Sequence, residues 1–387
     1  METLRMMFKN NIRQYGMIIA LISIMLLFQI LTDGILLKPL NITNLILQNS
    51  YILVLAIGML LVIITGHIDL SVGSVAAFIG AVSAILMVDM QVPFVAALII
   101  SLLIGALVGA WQGFWIAYVK IPSFIVTLAG MLLFRGLTMV VLQGMSRAPF
   151  PDSFRKMSTG FLPDLLGGTV FHNLTLAFGI GASIIIIWIE LRNRKIQQSY
   201  NFSVMPIGFL IAKIIAMIAV INTFTYVLAK YEGIPNILII LLVLVIIYTF
   251  VMNKTVIGRH IYALGGNEKA AKLSGVKTAH VTFWVFVNMG VLSALSGLIF
   301  AARLNAATPK AGVMFELDAI AAVFIGGASA AGGVGTVMGA IIGGLVMGVM
   351  NNGMSLVGLG IDWQQAIKGL VLLAAVGFDI YNKSKST

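Results

Sequence analysis

Long apolar stretches recur along almost the whole chain and constrain its fold more than any other feature. The chain has 387 residues, of which 60% are hydrophobic and 10% are charged, whereas a soluble domain carries about 25% charged residues. A helix needs about 20 mostly apolar residues to cross the roughly 30 Å hydrocarbon core of a bilayer. The sequence therefore predicts an all-α polytopic membrane protein rather than a soluble domain.

Twelve stretches are long enough to cross the membrane, although ten or eleven crossings also fit the sequence. The pair 316–331 and 335–352 is glycine-rich, and helices of this kind can be broken or re-entrant where other protein covers them. The predicted spans are 17–37, 43–65, 70–89, 93–119, 121–143, 174–191, 207–229, 234–252, 281–303, 316–331, 335–352 and 361–380.

The basic residues predict the orientation of these spans, because cytoplasmic loops carry an excess of Lys and Arg. With a cytoplasmic N-terminus, 14 of the 24 basic residues fall in inside loops and seven in outside loops. We therefore expect both termini inside and the segment 145–173 outside. The net charge of +11 is then explained by the cytoplasmic face, and nucleic acid is not expected as a partner.

The first span also resembles a signal peptide, because Arg5, Lys9 and Arg13 precede it. No small-residue cleavage site follows, so we expect a retained signal anchor. The chain has no cysteine, which excludes disulfides and thiolate chemistry. It also contains neither HExxH nor a Gly-x-Ser-x-Gly elbow, which argues against an intramembrane enzyme.

The stretch TGHIDLSVGS, residues 65–74, places a histidine and an aspartate between two apolar runs. Asp69 or Ser71 could cap the following helix, because their side-chain oxygens accept backbone N–H bonds. Alternatively, the stretch lines a solute path, because ionisable groups at membrane depth usually face a cavity or a partner. Both interpretations stay open, and the candidate pathway or hairpin residues are Gln48, Asn49, Thr65, His67, Asp69 and Ser71.

The longest hydrophilic inside loop, residues 253–280, predicts a short cytoplasmic helix. Asn267 can cap it, Glu268 suits its positive N-terminal end, and Gly275 suits a left-handed exit. Ala270 and Ala271 then form a small flank that another protein could approach closely. The alternative is a solvated basic loop.

Glycines in the segment 316–353 recur at every fourth residue, at Gly335, Gly339 and Gly343. Small residues at this spacing allow close helix contact. The segment lacks the Lys-Ser or Lys-Thr of a phosphate-binding loop and the dinucleotide-binding spacing. It therefore predicts helix packing rather than a nucleotide site.

Several long motifs, in this order, resemble the bacterial monosaccharide ABC-transporter permeases of the ribose, xylose and galactose type. They are TGHIDLSVGSVAAF, GRHIYALGGNEKAAKLSGV, ARLNAATPKAGVMFELDAIAAVFIGGASAAGGVGTVMGAIIGG and MNNGMSLVGLGIDWQQAIKGLVLL. The resemblance covers about residues 45–380, and the extra hydrophobic segment near 150–206 is similar to the xylose or multiple-monosaccharide branch. His67 departs from the family pattern, which often has a second glycine at this position.

The resemblance implies the ABC importer permease fold as one transmembrane domain, residues 1–387, in the bacterial plasma membrane. It implies a homodimer, an extracytoplasmic sugar-binding protein and an ATP-binding subunit that holds ATP and Mg²⁺, so this chain would bind no cofactor or metal and perform no catalysis. Residues 253–280 would couple the permease to the ATPase. The implied coupling residues are Arg259, Gly265, Gly266, Asn267, Glu268, Ala270, Ala271 and Gly275.

Arg303, Lys310 and Glu316 are candidate contacts to the binding protein at the outer face, because rim charges orient a partner. Each could equally be a solvated loop charge.

Two other functions and other solutes remain open. A secondary transporter would also be polytopic, and residues 69–81 weakly resemble residues 317–328, as inverted repeats would. A channel is a further alternative, although no ring-forming selectivity sequence is evident. Related permeases carry nucleosides, an autoinducer or branched-chain amino acids, so the solute class is an expectation from the resemblance.

Overall fold

A computed structural model describes residues 12–168, 170–200, 202 and 204–384, and these are helical apart from turns, connections and two isolated β-bridges. The predicted anchor charges Arg5 and Lys9 lie outside the described residues. The helices are α1 (Ile12–Leu31), α2 (Pro39–Ile64), α3 (Val72–Ala84), α4 (Phe94–Ala117), α5 (Ser123–Leu142), α6 (Asp152–Thr159), α7 (Asn173–Ser199), α8 (Ile207–Ala229), α9 (Asn236–Lys254), α10 (Val256–Gly266), α11 (Glu268–Leu273), α12 (Thr278–Leu304), α13 (Phe315–Ile325), α14 (Val337–Leu356) and α15 (Ile361–Ser384).

Nine helices within the described ranges are long and apolar enough to cross a membrane. They are α2, α3 with its π-helical extension to Asp89, α4, α5, α7, α8, α9, α12 and α14. They coincide with nine of the twelve predicted spans. The chain is therefore a multi-pass membrane protein with the predicted all-α architecture.

The predicted span 316–331 does not form one continuous helix. Only Phe315–Ile325 is helical, and 11 residues at about 1.5 Å each reach about half the thickness of the hydrocarbon core. The following residues 326–336 are non-helical and contain left-handed Gly327, Gly332 and Gly333. These glycines adopt positive φ angles without the penalty that a side chain would impose, which explains the break.

The chain divides into two compact units. Of the described residues, unit 1 comprises those up to Leu36, those in 45–159 and those from Ile237 onward, and unit 2 comprises those in 37–44 and 160–236. In unit 1, α12 packs against α3 and α4, α5 packs against α3, and α14 packs against α13 and α1. Close approach depends on missing side chains, because a Cβ at Gly105 of α4 would lie 2.6 Å from the Gly290 carbonyl oxygen of α12.

In unit 2, α7 and α8 form a helical hairpin that follows an ordered loop. The Asp164 carboxylate accepts backbone N–H bonds from Leu166, Gly168, Asn173 and Leu174, at 2.8–3.2 Å. Although desolvation opposes it, the four donors lower the pKa of Asp164 to about 2. The ionised carboxylate thus fixes the loop that precedes α7.

Residues 253–280 are more helical than the sequence predicts. The segment contains the short helix α11 but also the preceding helix α10, and α12 begins at Thr278. The predicted hydrophilic loop therefore contains two short helices, α10 and α11, which are separated only by Asn267.

Candidate functional site

Three sequence features explain why α11 begins and ends where it does. The Asn267 Oδ1 accepts the Ala270 N–H at 3.0 Å, Glu268 lies in the first turn, and Gly275 has φ +86° after the helix. These are an N-cap, a favourable charge at the positive helix end and a left-handed exit. The local structure is the one that the sequence predicts.

The outward face of α11 differs from the predicted alanine flank. Ala270 is exposed, but Ala271 is only 5% exposed, whereas Leu273 is 90% exposed. An exposed leucine is unusual on a six-residue helix that also carries lysines at positions 269 and 272. Ala271 therefore packs within this chain. Leu273 was not predicted as a surface residue, although a lone leucine in a basic segment was a signal for it.

Helix α10 connects this exposed helix to the membrane core of unit 1. The Tyr262 hydroxyl donates to the Gly335 carbonyl oxygen at 2.7 Å, and the Gly333 N–H donates to the Ile64 carbonyl oxygen at 2.8 Å. A Cβ at Gly265 would lie 1.6 Å from that Ile64 oxygen. Helix α10 is therefore in direct contact with the end of α2 and with the non-helical segment 326–336.

The remaining coupling candidates lie on the surface of the same element. Arg259 and Gly266 are exposed, and the Glu268 carboxylate lies 3.9 Å from the Lys120 ammonium, with both side chains more than half exposed. An exposed ion pair of this length contributes little to stability. These groups are available to a partner.

Asp69 lies in the connection 65–71 and organises the start of α3. It is 2% exposed, and its Oδ1 accepts both the Ser71 N–H at 2.8 Å and the Ser71 hydroxyl at 2.6 Å. The Gln112 amide donates to the Ser71 oxygen at 2.7 Å. Ser71 therefore occupies the cap position without capping through its side chain, and Asp69, two residues earlier, holds the turn.

The other members of the pathway candidate set make local contacts. The Thr65 hydroxyl donates to backbone oxygens of α2, Asn49 donates to the Leu45 carbonyl oxygen at 2.9 Å, and the His67 ring lies 5.8 Å from the Phe286 ring. Gln48 is half-buried. Thr65, His67, Asp69 and Ser71 therefore share one connection by their positions in the chain, whereas Gln48 and Asn49 lie more than four helical turns away along α2.

Glycines of the predicted ridge lie where α14 meets α13. A Cβ at Gly339 would lie 2.2 Å from the Gly326 carbonyl oxygen, and a Cβ at Gly343 would lie 1.9 Å from the Ala322 carbonyl oxygen. Gly335 precedes α14. At the two helical positions only glycine allows the observed backbone distance.

The three outer-face candidates lie in different environments. Lys310 is exposed and Arg303 is half-buried. Glu316 is 6% exposed, in the first turn of α13, and a Cβ at Gly73 would lie 2.4 Å from its Oε2. The structure thus leaves Lys310 and Arg303 accessible, whereas Glu316 is not at the surface.

One buried ion pair was not predicted. The Lys368 ammonium of α15 lies 3.0 Å from Asp318 Oδ1 of α13, and the Tyr51 hydroxyl of α2 donates to Asp318 Oδ2 at 3.4 Å. The signal in the sequence was a lysine inside an apolar stretch, since charges in such segments usually have a buried partner. Among the described residues, no group of three or more His, Cys, Asp or Glu side chains could hold a metal ion.

The chain is similar to known transport permeases along most of its length. Residues 41–376 match the family model described as "Branched-chain amino acid transport system / permease component". The xylose transport system permease protein XylH of Haemophilus influenzae is 41% identical over 97% of this chain and 98% of its own length. XylH of Escherichia coli is 38% identical over 97% of this chain and 94% of its own length.

Ribose permeases are also similar. The ribose import permease protein RbsC of Bacillus subtilis is 35% identical over 98% of this chain and 96% of its own length. No solved structure matches the chain.

Proposed function

Since the chain belongs to the family of transport-system permease components that the model for residues 41–376 describes, we propose that it is the membrane-spanning subunit of an ATP-driven importer for a monosaccharide such as xylose. The observation that carries the proposal is the similarity to xylose transport permeases along nearly the full length of both chains. The similarity to ribose import permeases supports the wider class of monosaccharides.

The proposed importer needs three partners. An ATP-binding subunit hydrolyses ATP with Mg²⁺, an extracytoplasmic binding protein delivers the sugar, and a second copy of this chain completes the pathway. The chain itself has no phosphate-binding loop motif. In this proposal it performs no catalysis and binds no cofactor.

Coupling takes place at the element formed by α10 and α11. Ala270 and Leu273 present an exposed, partly apolar surface that suits a cleft on the ATP-binding subunit. The other proposed coupling residues form, cap or flank this element; they are Arg259, Gly265, Gly266, Asn267, Glu268, Ala271 and Gly275. When the ATPase closes, α11 moves with it, and α10 transmits the displacement through Gly265 and Tyr262.

That displacement reaches the groups that define the membrane pathway. Gly265 contacts the end of α2 at Ile64, directly before the connection that contains Thr65, His67, Asp69 and Ser71. Tyr262 contacts the segment between α13 and α14. Switching of these packed helices between two arrangements provides alternating access.

The opposite face receives the binding protein. Segment 145–173 is extracytoplasmic in this proposal, and Lys310 and Arg303 are the rim charges that orient the binding protein. Such charges act mainly on association rate and fit.

Reconstitution tests the coupling surface. The permease, ATP-binding subunit and binding protein are placed in proteoliposomes, and ATP-dependent xylose uptake is measured for the wild type, Leu273→Asp and Lys277→Gln. Leu273→Asp removes a buried apolar contact in the complex, and loss of such a contact costs about 2 kcal/mol, or about 30-fold in ATPase affinity. Lys277→Gln is the control, because an exposed charge contributes little.

We expect Leu273→Asp to keep normal folded yield while co-purification of the ATPase and sugar uptake fall together. Normal uptake by Leu273→Asp would exclude α11 as the docking element. Uptake that persists in the wild type without ATP or the ATPase would instead favour the secondary-transporter alternative. Competition by leucine rather than by xylose or ribose would assign a different solute.

A further inference from the structure

A cavity of about 230 Å³ lies in unit 1 between α2, α13, α14 and α15, away from the coupling element. Its polar wall consists of Tyr51, Asp318, Gln364, Gln365 and Lys368. Apolar side chains line the remainder. The cavity is therefore amphipathic and includes the buried ion pair that the sequence did not predict.

Asp318 is the centre of the polar wall. It is 3% exposed, and its two oxygens receive the Lys368 ammonium at 3.0 Å and the Tyr51 hydroxyl at 3.4 Å. The Tyr51 ring stacks on the Phe315 ring, with the two ring centroids 3.9 Å apart, and this contact holds Tyr51 in place. A lysine ammonium has three N–H donors, so Lys368 can bind a solute oxygen while it stays paired with Asp318.

The chemistry of the walls selects one class of solute. Asp318 and Lys368 neutralise each other, so an ion gains no net attraction in the cavity. The Gln365 amide offers two donors and an acceptor, which matches hydroxyl groups that donate and accept. The Gln364 amide nitrogen already donates to the Leu359 carbonyl oxygen at 2.9 Å and the Ser355 hydroxyl oxygen at 3.4 Å, so Gln364 offers its amide oxygen as an acceptor. Leu317 and Met347 offer apolar contact to the C–H face of a sugar ring.

The volume of the cavity also limits the size of the solute. Its volume is below the range of about 300–1,000 Å³ that is usual for drug-sized ligands. We propose that this cavity is a subsite of the permease for a single neutral, hydroxyl-rich solute of monosaccharide size. The identity of the solute rests on the proposed function, whereas the binding itself does not require ATP or a partner.

The position of the cavity gives the subsite a role in transport. Leu317 and Asp318 belong to α13, and the segment after α13 contains Gly335, which accepts the hydrogen bond from Tyr262 of α10. A bound solute therefore contacts the same short helix that the coupling element can displace. Displacement of α13 would change the shape of the cavity and release the solute.

The absence of cysteine allows a direct test with the purified full-length permease. Leu317→Cys places the only thiol on the cavity wall, and Asp362→Cys places it on the exposed first turn of α15 outside the cavity. The rate of labelling by a water-soluble maleimide is measured with xylose, ribose or gluconate at millimolar concentrations. The same measurement on Leu317→Cys combined with Gln365→Leu tests the polar wall.

We expect xylose or ribose to slow labelling of Leu317→Cys several-fold, with no effect on Asp362→Cys. The anion gluconate should protect less, and Gln365→Leu should raise the sugar concentration that gives half protection. Equal labelling with and without neutral sugars, or equal slowing of both thiols, would overturn the subsite. Because no ATPase or binding protein is present, this result is independent of the uptake experiment.

Discussion

Helices α2 and α8 have the same mean hydropathy of 2.2 in their most apolar stretches, yet protein covers them very differently. In α2, which lies mostly in unit 1, 83% of that stretch is buried, whereas in α8 of unit 2 the share is 6%. Hydropathy therefore identifies a span but not its neighbours. Protein-covered helices need complementary shapes and paired polar groups, whereas exposed apolar helices such as α8 need only an apolar surface toward lipid.

Substitution of glycine should show the largest difference between the two environments. Gly343→Leu places side-chain atoms where α13 already has its backbone, since a Cβ alone would lie 1.9 Å from the Ala322 oxygen. We expect a loss of about 3 kcal/mol or more, at the upper end of overpacking effects, measured as folded yield and thermal unfolding in detergent.

Gly208→Leu in α8 is the matched control, because nothing lies within 4 Å of a Cβ at that position. Leucine also has the higher helix propensity, so this variant should be neutral or slightly more stable. Equal losses in the two variants would show that protein surrounds both helices to the same extent.

Substitution of Asp69 should have an intermediate effect and separates hydrogen bonding from charge. Asp69→Leu leaves the buried Ser71 N–H without its acceptor, which costs about 1–3 kcal/mol. Asp69→Asn keeps an Oδ1 that can accept the same bonds, so its unfolding temperature and sugar uptake should stay near those of the wild type. Loss of uptake by Asp69→Asn at normal folded yield would give the charge a direct role in transport.

The smallest effect concerns Asp164 in unit 2 and depends on pH. Its folded pKa of about 2 lies below the usual value near 3.9, so its contribution to stability is present above about pH 4 and is lost as the pH falls toward 2.

Asp164→Asn removes one of the two acceptor oxygens. At neutral pH, hydrogen exchange of the Gly168 and Asn173 amides should accelerate several-fold.

Asp152→Asn serves as the control for that measurement, since Asp152 is exposed and forms an ion pair with Arg155, three residues away. It should leave exchange in both units unchanged. Unaltered exchange at Gly168 and Asn173 in Asp164→Asn would show that the carboxylate does not fix the loop.

Local patterns in the sequence determined much of the fold. Apolar runs of sufficient length located nine spans, because the bilayer requires about 20 such residues whatever surrounds them. Asn267, Glu268 and Gly275 determined the ends of α11, because capping and left-handed exits depend on residues within one helical turn. The order of long motifs was sufficient to indicate the permease family.

Tertiary structure alone decided which side of each element is covered. Ala271 and Leu273 lie two positions apart on one short helix, and only the packing of that helix buries the first and exposes the second. The hydrogen bond between Gly333 and Ile64 and the ion pair between Asp318 and Lys368 join residues distant in sequence. Contacts of this kind depend on how helices approach one another, and that geometry cannot be predicted from hydropathy or capping patterns.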